Sequence, residues 1–90
     1  MADIEILHAE LANSRIQKLE VRVANATTRQ IDRETALAWA RDGHSLIPIH
    51  GHGHDVSRGH ALTAIEVGEE LFLRTDTRAE ASDVVDFPAH

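Results

Sequence analysis

Along residues 18–23 the chain alternates strictly. Leu19, Val21 and Val23 are apolar, and Lys18, Glu20 and Arg22 are charged. That period of two is a strand with one buried and one wetted face. Such a strand needs a partner, and the nearest stretch carries two patterns at once. Ile4, Leu7, His8 and Leu11 have helical spacing, while Leu7, Ala9 and Leu11 alternate. Asn13-Ser14 lies between the two stretches as a turn signal. A short turn joins antiparallel strands, so residues 4–11 and 16–24 are expected to form a hairpin.

Residues 25–31 read as a polar connection. Asp32 then suits an N-cap, and Glu34 suits the first turn of a helix dipole. Ala36, Leu37 and Ala40 make a narrow apolar stripe with Trp39 at its margin, and Gly43 suits a left-handed helix end. A helix is therefore expected over about residues 33–42. Ser45–Ile49 reads as a short strand in which Pro48 cannot donate a ladder bond, which places it at an edge or an end. The segment 50–54 is a glycine-containing loop. Residues 60–67 and 70–75 read as two strands turning at Val67-Gly68-Glu69-Glu70.

From Asp76 onward the chain is an acidic tail over residues 76–90. Asp76, Glu80, Asp83 and Asp86 stand there against Arg78, with Val84, Val85 and Phe87 as a docking patch before Pro88. The expected architecture is a single α+β domain in the order β-β-α-β-β-β. It has one mostly antiparallel sheet of about five strands with the helix on one face. The tail or a second copy of the chain would cover the other face, so a homodimer is an open expectation.

Composition narrows the function classes. Ninety residues make one small domain. There is no cysteine, which excludes disulfides, thiolate metal sites and cysteine nucleophiles. A small domain without disulfides points to the cytoplasm. The acidic start Met1-Ala2-Asp3-Ile4-Glu5 is unlike a signal peptide, and no apolar stretch approaches a membrane span. The formal charge is −6, and the nine basic residues form no stripe, so neither nucleic acid nor membrane is an expected partner. Protonating all seven histidines would turn −6 into +1, so surface charge should change steeply between roughly pH 5 and 7.

Residues 31–88 hold an ordered set of short motifs: a helix ending in Arg41-Asp42-Gly43, a short strand and glycine-containing loop, a hairpin closing in Leu73-Arg74-Thr75, and the acidic stretch Asp83-Val84-Val85-Asp86-Phe87-Pro88. In that order they resemble a family of small bacterial proteins classed as a domain of unknown function. Val84-Val85 stands where that family has an Asn-Leu pair. The resemblance implies a compact α+β domain and assigns no activity and no functional residue.

Candidate chemistry gathers between His44 and His60, which hold five of the seven histidines. On an extended strand His50, His52 and His54 would face one side about 7 Å apart. Their rings would converge on Zn²⁺ or Ni²⁺, with Asp55, His44 or His60 completing the shell. Gly51 and Gly53 argue instead for a solvated loop. The spacing is that of the histidine-triad hydrolases, but glycines stand where those have bulky apolar residues. Ser57-Arg58-Gly59 can offer a guanidinium and backbone amides to a small anion. The proximity of Asp55, Ser57 and His60 does not make a triad, because triads assemble from distant segments around an oxyanion hole. The leading expectation is a non-enzymatic binding or accessory module. Its binding loop would use His44, Asp55, Arg58 and His60 to contact a protein or small anion. A metal-binding protein, or a metal-dependent enzyme, through His50, His52 and His54 is the second expectation. An acidic inhibitor or adaptor of a basic partner, acting through the tail, is the third.

Overall fold

The computed structural model describes residues 3–23, 27–51 and 55–88. Their order is β1 Asp3–Ala12, β2 Arg15–Val23, β3 Thr28–Asp32, α1 Arg33–Arg41, β4 Ser45–His50, β5 Ser57–Arg58, β6 Thr63–Val67 and β7 Glu70–Arg74. Five strands form a mixed sheet in the order β3-β2-β1-β4-β5, and β6 and β7 form a separate two-stranded sheet. Only β1 and β4 pair in parallel; the other pairs are antiparallel.

The β1–β2 hairpin follows the alternation, with two interruptions. The register shifts between Ile6 and His8, where Leu7 is the extra residue of β1. It shifts back between Glu10 and Leu11, where Gln17 is the extra residue of β2. These opposed bulges keep apolar residues opposite one another: Ile4 with Val23, Ile6 with Val21, Ala9 with Leu19, and Leu11 with Ile16. The turn holds Asn13 at φ 55° and Ser14 at φ 61°. Two positive φ angles match the right-handed twist of a tight hairpin, at the cost of strain in a serine.

The helix starts and stops as its residues dictate. The Asp32 carboxylate accepts from the Thr35 N–H at 2.9 Å. At the other end Gly43 takes φ 91°, its N–H donates to the Ala40 carbonyl at 3.2 Å, and the His44 N–H donates to the Trp39 carbonyl at 3.0 Å. That pair of bonds is a Schellman closure, which glycine at the left-handed position permits.

The core joins Ile4, Ile6, Ile16, Leu19, Val21 and Leu46 of the main sheet to Ala36 of α1 and to Leu62 and Leu73. Each fully buried large side chain is worth roughly 1.5–3 kcal/mol. The helix and the β6–β7 hairpin therefore share one face of the sheet. On the hairpin's flank, Phe72 lies under two guanidiniums, Arg15 at 5.1 Å and Arg33 at 5.7 Å, and Arg15 pairs with Glu70 at 2.6 Å.

Several expectations change. The supposed polar connection contains β3, an edge strand whose one buried residue is Ile31; an edge strand can be polar at nearly every position. A two-residue strand, β5, follows the histidine segment. The β6–β7 hairpin forms as expected but stays outside the main sheet. The order is thus β-β-β-α-β-β-β-β among the described residues, not β-β-α-β-β-β. β4 lies inside the sheet although it carries Pro48. The Pro48 carbonyl accepts from the Gly59 N–H at 2.8 Å, on the side away from β1, so the missing N–H removes no bond to β1. The opposite face carries Glu5, His8, Glu10, Lys18, Glu20 and Arg22, exposed or half-buried, and Arg22 pairs across strands with Glu5 at 2.7 Å. No helix among the described residues is long and apolar enough to cross a membrane.

Candidate binding cleft

The C-terminal segment does not trail into solvent. It runs beside β7, with the Val84 N–H donating to the Leu73 carbonyl at 2.9 Å and the Thr75 N–H donating to the Val84 carbonyl at 3.0 Å. Val85 and Phe87 pack against the core. The acids expected to be solvated are largely bonded. Asp83 is buried with its side chain fully covered. Its Oδ2 accepts from the Ile16 N–H at 2.8 Å and from Arg33 Nε at 2.7 Å. Its Oδ1 accepts from the Leu73 N–H at 3.0 Å and from Arg33 Nη2 at 3.2 Å. Burial pushes this carboxyl up, but the Arg33 guanidinium and the two amides outweigh it and hold the group below its ordinary value of 3.8. Hydrogen bonding to Asp83 in turn raises Arg33. One carboxylate thereby ties β2, the start of α1, β7 and the C-terminal segment together.

Arg74 is a second clasp. Its buried guanidinium donates to both Asp76 oxygens at 2.6 and 2.8 Å. It also donates to the Ser82 carbonyl and hydroxyl at 2.9 and 2.8 Å, and to Glu80 at 3.1 Å. The chain from 76 to 82 is wrapped around this cation. Hydrogen bonding to Asp76 raises Arg74, and the same bond lowers Asp76.

Held in this way, the segment makes one wall of a cleft of about 620 Å³. Thr75, Asp76, Thr77, Asp86, Phe87 and Pro88 line that wall, and Arg58, Gly59 and His60 line the other. The walls approach each other at Gly59. A Cβ there would stand 3.2 Å from Pro48 Cγ, 3.3 Å from the Asp86 carbonyl oxygen and 3.3 Å from Pro88 Cδ. Only glycine fits that approach without displacing its neighbours. Asp86 is fixed through its backbone: its N–H donates to Thr75 Oγ1 at 3.0 Å, and that hydroxyl donates to Asp86 Oδ2 at 3.3 Å. Arg58 is half-exposed and, among the described residues, reaches one acid, Asp3, at 3.4 Å. His60 and Thr77 are exposed.

Of the expected binding-loop residues, Arg58 and His60 come together in the cleft. Asp55 is exposed ahead of β5, and the backbone of His44 closes the helix, so neither is part of the lining. His50 is exposed at the end of β4, opposite Ser57. His52 and His54, the other two members of the zinc or nickel set, lie outside the described residues. Among the described residues no group of three or more histidines, aspartates or glutamates is placed to hold a metal. Sequence reasoning put Asp76 and Asp86 in an acidic tail rather than in a wall of this cleft, and gave Thr75 and Thr77 no part in a site. The available signal was Arg74, a charged residue next to Leu73 in a strand whose Phe72, Leu73 and Arg74 are all buried; a buried arginine demands acids nearby.

Comparison of the chain with protein-family models, with curated proteins and with solved structures finds no match.

Proposed function

We propose that the protein is a non-enzymatic binding module whose ligand enters the cleft between Arg58–His60 and the C-terminal segment. One observation carries this reading: exposed polar groups of two distant chain segments line a single cleft, while the buried ions nearby are fully bonded. A volume of about 620 Å³ lies within the span of small-molecule sites, roughly 300–1,000 Å³. The Arg58 guanidinium is a bidentate donor suited to a carboxylate or phosphate, with His60 and the Thr77 hydroxyl beside the same space. Asp76 and Asp83 are held below their ordinary values by guanidiniums, which favours charge over proton transfer at neutral pH. The likeness of residues 31–88 to a small bacterial family assigns no residue a role, so geometry alone supports the reading.

The test is an amide-resolved NMR titration with small carboxylates, phosphate and short peptides. Shifts should centre on Gly59, His60, Thr75 and Thr77, and R58A should weaken the response to anionic probes. Perturbations centred elsewhere, or none with any probe, would overturn the proposal.

A further inference from the structure

Resting on that cleft reading, we propose that the ligand is a zwitterion of short-peptide size, carrying a free ammonium and a free carboxylate. Two opposite charges line the cleft without meeting. Among the described residues Arg58 pairs with Asp3 at 3.4 Å, and no ion pair joins it to Asp86. Asp86 receives a hydroxyl bond from Thr75 on Oδ2 and, among the described residues, has no cation within ion-pair distance. The buried charges nearby are closed among themselves: Arg33 with Asp83, and Arg74 with Asp76 and Glu80. In the cleft a cation and an anion that are not paired with each other line one cavity.

The chemistry of the ligand follows. A carboxylate can take the two-pronged geometry of Arg58, and an ammonium can donate to Asp86. Phe87 and Pro88 supply an apolar surface for the body between the charges. A simple anion such as phosphate would satisfy Arg58 but face Asp86 and Asp76 at the same time; a simple cation would meet Arg58. Polyanions are disfavoured for the same reason. The cleft is larger than a free amino acid requires and has room for two or three residues.

Three probes of one shape separate the charges: alanyl-alanine, its N-acetylated form, which lacks the ammonium, and its C-terminal amide, which lacks the carboxylate. Titration calorimetry should show the free dipeptide binding about tenfold or more tightly than either capped form, since each cap removes one charge-assisted bond. D86N should erase the preference over the N-acetylated form alone, and R58A the preference over the amide alone. Both side chains are exposed or half-exposed, so both variants should remain folded, with thermal melting as the check. Equal binding of the three probes would overturn the zwitterion and leave the cleft reading standing. The zwitterion also falls, and the cleft reading survives, if the dipeptides leave Gly59, His60 and Thr77 unmoved while another small anion moves them. If no probe moves those amides, both proposals fall.

Discussion

Asp83 and Asp86 stand three positions apart on one segment, and the fold uses them oppositely. Asp83 is sealed from water, with both oxygens accepting from a guanidinium and from backbone amides. Asp86 is exposed, holds its position through Thr75, and lines a cleft, near enough to Arg74 to feel its charge but beyond ion-pair distance. The same contrast divides the arginines: Arg33 and Arg74 are bonded along their guanidiniums, whereas Arg58 keeps donors to spare. A charged side chain is thus a structural part when its partners surround it, and stays open to solvent when they do not. Residue type alone cannot separate the two roles.

The sharpest way to break that contrast is D83N. The amide would turn N–H groups toward the Ile16 and Leu73 amides or toward Arg33, leaving a partly buried cation uncompensated. Stability should fall by about 3–5 kcal/mol in urea unfolding; a loss below about 1 kcal/mol would mean that Asp83 is no latch. A second, smaller effect is acid sensitivity. Asp83 sits below its ordinary 3.8 in the fold, so its contribution is complete above that value and is lost as pH falls below it, through the lowered value. Unfolding free energy measured from pH 5 down to 2 should therefore drop below pH 4. The drop should be shallower in D83N, and an unchanged slope would contradict the assignment. The Asp83 N–H also reaches the Ser14 carbonyl at 2.8 Å, so the strained turn belongs to the sealed region. S14G should raise stability by about 0.5–1 kcal/mol, because glycine takes φ 61° without a Cβ penalty. A destabilised S14G would show the serine side chain to be needed. Smallest of all, D86N and R58A should each shift stability by less than about 0.5 kcal/mol. A larger loss in either would move the cleft charges into the structural class.

The elements that sequence reasoning located share strong local signals. Asp32, Gly43 and Gly68 mark their turns through backbone chemistry that needs no tertiary partner. The mixed reading of residues 3–11 has a physical origin as well. Leu7 is a bulge, so the buried positions run Ile4, Ile6, Ala9, and one inserted residue makes a strand period look helical. β3 was illegible because Thr28, Arg29 and Gln30 are polar, and its pairing energy lies in the backbone. β5 is too short to have a period. In the cleft, Arg58 and His60 were visible because they lie near one another in sequence. Asp76 and Asp86 were not, since an acid bonded to Arg74 or turned toward a cavity has the same letter as one in water.

Gly59 gives the cleft a calibration. A methyl there would have to shift Pro48, the Asp86 carbonyl or Pro88 by a few tenths of an ångström, and two of those three atoms belong to the opposite wall. Position 59 is therefore a spacer between the walls, next to Arg58 in sequence and against the backbone of Asp86 in space. Substituting alanine, then serine, would work like a set of shims, pressing stepwise on Pro48, the Asp86 carbonyl and Pro88.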